Sequence, residues 1–311
     1  MNRTLLGVLC LSLAASLWGG MFVFTKYVLN YIPLFTLIWL RYMIGFLVLY
    51  FLLKWHQKKY GQRKSYTKND WLVLIRLGFI GYFVTIVGQY IGVELSNAST
   101  GALITASSPA FILIFARIML KEKLTKRKIT ALLLATAGVI MTIEWDTSNN
   151  GVLLGSLVLF MAAISWSLFS VYVKLAARTF TSLETSAYGL LAATGFTTPL
   201  MVWELQRSEV YFGSPLIILS VLYLGIAATA GTFYLWNKGM ELMDAGVGSL
   251  FLFFQPLVGG LLGWLWLNET IGLDFLAGGL LIMLGIVIAT WKHKSKRYYR
   301  REYRKTGKRM A

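Results

Sequence analysis

The side chains best suited to bind a small molecule in this sequence are rings, amides and hydroxyls set within long apolar stretches. Tyr82, Thr85 and Gln89 follow one another at spacings of three and four residues, which places them on one face of a helix. Gln89 and Gln255 are the most informative positions, because a buried amide needs hydrogen-bond partners that lipid does not offer. A mostly apolar surface with a few polar groups is the usual composition of a small-molecule site.

Similar residues elsewhere in the chain complete a predicted chamber between helices. The hydroxyl groups have a second interpretation, since Ser and Thr in membrane helices often bond to a backbone carbonyl or hold helices together. The tryptophans also have a second interpretation, as residues of the membrane–water interface, where Trp is common. The predicted substrate-binding residues are Trp18, Tyr82, Thr85, Gln89, Thr105, Ser108, Trp166, Thr229, Thr232, Trp236 and Gln255.

Three basic residues are predicted to have gating or charge-binding roles. Arg41 is the only charge deep within an apolar segment, and a charge at the bilayer centre costs at least about 2.5–3.5 kcal/mol. Arg41 is a candidate to meet a substrate carboxylate or to form an outer gate; the alternative is that it extends to the outer headgroups. Lys26 and Lys174 lie near opposite ends of their segments. Each has three alternative roles: a gate, an ion pair or an interfacial anchor.

Two prolines are predicted to shape the chamber. Pro109 and Pro256 are expected well inside their helices. Because proline removes one backbone donor and frees a carbonyl, each predicts a kink lining the chamber, or else a tolerated bend.

The composition excludes most catalytic and metal-binding sites. One cysteine, Cys10, and two histidines, His56 and His293, leave no disulfide framework and no zinc or haem site. Neither a G-x-S-x-G motif nor a phosphate-binding loop is present. We therefore expect no metal, no cofactor and no enzymatic activity. A scaffold or receptor without transport, and an intramembrane enzyme, remain the alternatives to a transporter.

The elements that must position these residues are membrane-spanning helices. Of 311 residues, 57% are hydrophobic and 14% charged, whereas soluble domains have about 45–50% and about 25%. A soluble protein is therefore excluded, and an all-α integral membrane protein is predicted. Ten apolar segments approach the length that crosses a bilayer. They are 5–28, 34–53, 71–91, 100–120, 128–143, 152–173, 185–203, 215–236, 246–267 and 273–291.

The net charge of +17 is distributed unevenly between the connections. Basic residues concentrate in alternate loops and in the tail at 292–311, which by the positive-inside rule predicts that both termini are cytoplasmic. We therefore expect a multi-pass protein of the cell membrane. The tail is predicted to lie on anionic lipid headgroups and not on nucleic acid.

An internal repeat divides the chain into residues 1–148 and 149–291, followed by the basic tail at 292–311. Pro109 matches Pro256 at a shift of 147 residues, and Trp18 matches Trp166 at a shift of 148. Each half has five predicted spans, so the second half must insert upside down relative to the first. Inverted repeats place a binding site near the bilayer midplane and supply two related states for alternating access. This is the construction of a transporter.

These residues resemble a known family. Ala15-Ser16-Leu17-Trp18-Gly19-Gly20, Leu40-Arg41-Tyr42 and the stretch from Ser108-Pro109 to Leu124-Thr125 are similar to motifs of EamA-type transporters in the drug/metabolite transporter superfamily, and Gln255-Pro256 through Glu269 resembles a second copy. The resemblance implies ten helices and export of amino acids, related metabolites or drugs. Gln255 departs from it, because the second copy often has Glu there.

Small residues predict how the two halves are joined. Those of the fifth segment (Ala131, Ala135, Gly138) and of the tenth (Gly278, Gly285, Ala289) permit close helix contact. The resemblance implies that these two helices pack together away from the chamber, which would join the halves within one chain, and we expect a monomer.

All 13 carboxylates fall at segment ends, in loops or in the tail. We therefore expect transport without a proton carrier in the path.

Overall fold

The computed structural model describes residues 3–60, 65–96, 101, 104–142, 152–267 and 273–290, and every regular element within them is helical. Two π-helical segments, Gly78–Val84 and Ile226–Gly231, join α3 to α4 and α9 to α10, and a 3-10 segment, Ser249–Phe253, joins α11 to α12. The α-helices are α1 (Arg3–Val28), α2 (Leu34–Lys59), α3 (Lys68–Leu77), α4 (Thr85–Leu95), α5 (Ser108–Met119), α6 (Lys126–Thr142), α7 (Val152–Ala176), α8 (Ser182–Leu205), α9 (Pro215–Gly225), α10 (Thr232–Leu242), α11 (Ala245–Gly248), α12 (Phe254–Leu267) and α13 (Leu273–Thr290).

The described helices are apolar enough for a multi-pass membrane protein. Five of them meet the length and hydropathy needed to cross a bilayer: Arg3–Met21, Leu34–Lys59, Lys68–Leu95, Leu153–Ala176 and Pro215–Leu242. Large apolar side chains cover their outward faces, with Phe51 and Leu153 exposed by 71% and 76%. Surfaces of this kind are stable only against lipid, because monomeric soluble proteins rarely expose large apolar patches.

Several helices extend past their predicted ends. The helix predicted over 34–53 continues to Lys59, and the one predicted over 215–236 continues to Leu242. Apolar composition marks where a helix lies in lipid, whereas its end is set by capping and hydrogen bonds. Thr67 and Asp70 form such a cap at the start of α3, and Thr181 and Glu184 form a second at the start of α8.

The two π-helical segments occupy corresponding positions in the two halves of the chain. Gly78 begins the first, and Gly225, at the repeat shift of 147 residues, precedes the second. Thr85 Oγ1 donates to Ile80 O at 3.0 Å and Thr229 Oγ1 to Leu224 O at 2.7 Å, each across five residues. A π-helical turn inside an α-helix is rare and often marks a functional site. The same distortion in both halves agrees with the sequence repeat.

The prediction that both prolines lie well inside helices is wrong for Pro109, whereas Pro256 lies within the continuous helical run 245–267, near the point where α-helix begins after the 3-10 segment. Pro109 is the second residue of α5, after a turn at Ala106 and Ser107, and Pro256 is the third residue of α12, after the 3-10 segment. Proline fits the first turn of a helix because no backbone donor is needed there. Because the turn at Ala106 and Ser107 separates them, Thr105 and Ser108 do not share one continuous helix face.

The predicted joint between the fifth and tenth segments is confirmed, since α6 packs along α13. A Cβ atom built on Gly285 would lie 2.7 Å from Ala131 O and 3.3 Å from Ala135 Cβ, so the two backbones are in close contact. Only a residue without a side chain permits this approach. A second pair, α2 with α8, also joins the halves.

Candidate functional site

Three indole rings meet at the centre of the helix bundle. The centroid of Trp18 on α1 lies 5.4 Å from that of Trp166 on α7 and 5.6 Å from that of Trp236 on α10. The Trp166–Trp236 distance is also 5.6 Å. We call Trp18, Trp166 and Trp236 the indole triad. One of its rings comes from the first half of the chain and two from the second, so the three predicted aromatic residues do come together.

Further aromatic rings extend this cluster. Phe233 lies 5.7 Å from Trp18 and 4.1 Å from Tyr82, and Phe169 lies 4.9 Å from Tyr82, measured between centroids. Tyr82 stands in the first π-helical segment, which directs its ring into the bundle, where it is fully buried. The surroundings of the triad are therefore apolar on the sides formed by α10 and the first π segment.

A few polar atoms at this centre have no partner among the described residues. Trp236 Nε1, Ser108 Oγ and Asn237 Oδ1 are each buried without a hydrogen bond. An unmade hydrogen bond of a buried group costs about 1–3 kcal/mol, so each calls for an explanation.

Asn237 is a central residue that the sequence interpretation missed. Its Nδ2 donates to Tyr82 Oη at 3.1 Å and to Ser186 Oγ at 2.8 Å, which links α10, the first π segment and α8. The predicted span 215–236 ends one residue before Asn237, so Asn237 lay outside the predicted chamber. An amide directly after Trp236, one helical turn from Phe233, was the available signal.

The predicted hydroxyls are used mainly within their own helices. Thr232 Oγ1 donates to Ala228 O at 2.8 Å, and Thr85 bonds to the carbonyl of Ile80. Both side chains are fully buried, so for these two the alternative interpretation of a helix-internal bond describes the structure. Gln89, Gln255 and Thr105 are half-buried, and no partner for their side chains exists among the described residues.

Arg41 lies inside the bundle and not at the headgroups. Its side chain is 5% exposed, so the alternative that it extends to the outer surface is wrong. Its Nε donates to Thr229 Oγ1 at 3.2 Å, and its Nη2 contacts Met21 Sδ at 2.8 Å. The predicted charged residue and the predicted chamber residue Thr229 are thus direct partners.

Lys174 takes part in a cluster of four charges that joins the two halves. We call Glu122, Lys128, Lys174 and Asp244 the ionic latch, and the end of the bundle that holds it the basic end. Lys128 Nζ lies 2.5 Å from Asp244 Oδ1 and 3.5 Å from Glu122 Oε2, and Lys174 Nζ lies 3.5 Å from Glu122 Oε1. The side chain of Lys26 lies outside the described residues, so its predicted role stays a prediction.

Glu122 also anchors the start of α11. Its carboxylate accepts from Ala245 N at 2.8 Å and Gly246 N at 3.2 Å. Burial raises the pKa of Glu122. Burial alone would raise the pKa of Asp244 too, but a hydrogen bond with Glu122 and the charge of Lys128 outweigh it and lower the pKa of Asp244. The latch therefore closes the basic end with charges that are largely shielded from water.

The opposite end of the bundle is closed by different chemistry. Tyr211 N donates to Tyr31 O at 3.0 Å, and the rings of these two residues lie 6.1 Å apart. Glu204, at the end of α8, accepts from Thr36 N at 2.7 Å and from Phe35 N at 3.0 Å, which caps the start of α2. The indole triad thus lies between an ionic closure and an aromatic one.

Comparisons with known proteins agree with this architecture. The uncharacterized transporters YetK and YoaV of Bacillus subtilis are 27% and 25% identical to this chain, with alignments covering 93% and 94% of it and 88% and 98% of the relatives. The uncharacterized inner membrane transporter YicL of Salmonella typhimurium is 25% identical over 93% of this chain and 96% of its own. A solved crystal structure shares the fold with a TM-score of 0.77 at 22% identity, covering 93% of this chain and 96% of that one. The model of the EamA-like transporter family matches twice, over residues 5–143 and 153–291. The chain therefore belongs to the EamA-like transporter family, whose members are transporters and not enzymes.

Proposed function

We propose that the protein is a secondary transporter that moves small amphiphilic metabolites across the cytoplasmic membrane by alternating access. The observation that carries this proposal is the indole triad, which is assembled from both halves of the chain and holds the buried, unpartnered Nε1 of Trp236. A site built between two halves changes its exposure when the halves move relative to each other.

The proposed architecture has ten spans arranged as two inverted five-helix repeats. Its support is the repeat at a shift of 147 residues, the two family matches and the paired π-helical segments. The α6–α13 contact would serve as the fixed joint, because backbones in such close contact cannot slide easily. The ionic latch would open and close the basic end.

The proposed orientation places the basic end in the cytoplasm. The loops near this end carry most of the lysine and arginine outside the tail, and such loops remain cytoplasmic. The proposed direction is export, of amino acids or related compounds. We propose that the chain acts as a monomer, with its tail at 292–311 on anionic headgroups.

A metabolite comparison followed by reconstitution tests this function. Extracellular metabolites would be measured in cultures with and without the protein, and any compound that increases would be loaded into proteoliposomes with purified protein. We expect flux of that compound, and a large loss of flux in Trp18→Ala. Trp203→Ala is the matched control, because Trp203 is 49% exposed and lies away from the triad. If no compound changes and no liposome flux occurs, the transporter proposal is wrong.

A further inference from the structure

We propose that Arg41 binds the anionic group of the transported molecule, so that the substrate class is a small organic anion with an apolar body. This inference rests on the proposed function and names the substrate class of the same site. It follows from the partners of Arg41, from its burial and from its position relative to the indole triad.

The guanidinium group of Arg41 has too few partners for a buried cation. It carries five N–H donors and no acceptor. Thr229 Oγ1 is its one oxygen partner among the described residues, and its other contact is the thioether of Met21, which is a weak acceptor. Every ion pair within the described residues involves a lysine at the basic end, so no described carboxylate lies within 4.0 Å of Arg41.

A buried cation without a counter-ion is unfavourable, because burial removes water that nothing replaces. With a side chain 5% exposed, Arg41 has little access to water. Its rigid fork matches carboxylate and phosphate groups, which accept two parallel hydrogen bonds from it. An anion brought by the substrate would therefore supply the missing charge and accept from donors that have no partner among the described residues.

The position of Arg41 also fits one end of an amphiphilic molecule. Its partner Met21 follows Trp18 on α1 by three residues, and its partner Thr229 precedes Phe233 by four residues. The step is about 4.5 Å along α1 and about 6 Å along α10, and on both helices it leads away from the basic end. The cation thus lies one helical turn beyond the aromatic rings. A molecule with an apolar body next to its charge spans this distance.

Carboxylates and phosphate monoesters share this chemistry, and a matched set of probes separates them. The probes are 3-phenylpropionate, its neutral amide and 2-phenylethyl phosphate, which have similar bodies and different head groups. The full chain would be placed in phosphatidylcholine nanodiscs, a bilayer without anionic lipid, so that a lipid headgroup with net charge cannot occupy the site. Thermal unfolding would be followed with each probe, and affinity taken from the concentration dependence of the unfolding temperature.

We expect the carboxylate, the phosphate or both to raise the unfolding temperature, and the amide not to. Arg41→Met should weaken anion binding about 30-fold or more, as truncation of one partner of a buried charge pair does. Without ligand, the same variant should unfold at a higher temperature than the natural protein, since it removes an uncompensated charge. Arg117→Met is the matched control, because Arg117 is exposed.

Equal stabilisation by the amide and the anions, or anion binding that survives Arg41→Met, would overturn the inference. If Arg41→Met does not fold, Arg41→Lys decides: it keeps the charge and loses the fork, so anions should bind more weakly while the amide is unaffected. If metabolite export is observed but the anionic probes do not bind as expected, the anion site is refuted and the proposed transport function stands. If the natural protein produces no flux at all, the proposed transport function is itself refuted.

Discussion

Lys174 Nζ lies 3.5 Å from Glu122 Oε1, and this contact joins the last turn of α7 in the second half to the loop after α5 in the first half. Both side chains are largely buried, with exposures of 14% and 11%. The Nζ of Lys174 also donates to the carbonyl of Met243, directly before Asp244. Opening of the basic end must therefore break hydrogen bonds and ion pairs that are shielded from water.

Neutralising the latch should open the basic end. In a Cys10→Ser background with Ser108→Cys as a reporter, we expect Glu122→Gln to increase labelling by a membrane-impermeant maleimide added at the basic end, because Glu122 contacts Lys128, Lys174 and the start of α11. Reactivity would be measured as a rate in oriented membrane vesicles.

The matched control for the latch is Glu241→Gln. Glu241 forms an ion pair with Lys238 at 2.8 Å, but both lie on α10, so this pair does not join the halves. Labelling should stay unchanged in this variant. Equal labelling of the Glu122 variant and the unmodified reporter would show that the latch does not hold the end closed.

Substitution at the α6–α13 contact should destabilise the protein. In Gly285→Ala the new Cβ would lie 2.7 Å from Ala131 O, and overpacking of this kind costs about 1–3 kcal/mol. Gly195→Ala is the control, since nothing lies within 4 Å of its Cβ and Ala is favoured over Gly in a helix by about 1 kcal/mol. Thermal unfolding should give opposite signs for the two variants. An unchanged unfolding temperature in Gly285→Ala would contradict the close contact between the backbones of α6 and α13.

The unpartnered indole nitrogen of Trp236 is expected to act on the substrate. Trp236→Phe keeps an aromatic ring and removes the donor, so flux in proteoliposomes should fall, and the smaller ring should lower the unfolding temperature because it leaves a cavity at a fully buried position. The same change at exposed Trp203 should alter neither quantity. Normal flux in Trp236→Phe would show that the nitrogen does not act on the substrate.

Asn237 should stabilise the bundle through Tyr82. Asn237→Leu removes the donor to Tyr82 Oη and Ser186 Oγ and leaves polar atoms buried, at a cost of about 1–3 kcal/mol. Tyr82→Phe removes the same bond from the other side. A double-mutant cycle by thermal unfolding should therefore show that the two effects are not additive. Strict additivity would mean that this hydrogen bond contributes nothing measurable.

Transport is expected to proceed without a pH gradient. Carboxylates of the described helices lie at the helix ends, as Glu94, Glu184, Glu204 and Glu241 show, so none stands where a carrier would move protons across the bilayer centre. Labelled substrate in proteoliposomes should equilibrate equally with and without an imposed gradient. Accumulation that follows the gradient and collapses with a protonophore would refute this expectation.

Helix positions and aromatic candidates could be predicted from the sequence because they depend on local composition. The lengths of the apolar segments predicted most helix ends to within a few residues. The repeat identified Trp18 and Trp166 as equivalent positions. The small residues that join α6 to α13 were also visible, since close helix contact requires them wherever it occurs.

The partners of polar groups were decided only by tertiary structure. Nothing near Arg41 in the chain indicates that its donor reaches Thr229, 188 residues away, or that Glu122 reaches the start of α11, 123 residues away. The two π-helical segments could not be predicted either, because they depend on how neighbouring helices satisfy the freed backbone groups. Apolar periodicity specifies that a helix enters lipid, but hydrogen bonds and ion pairs between distant segments form only once the helices have packed.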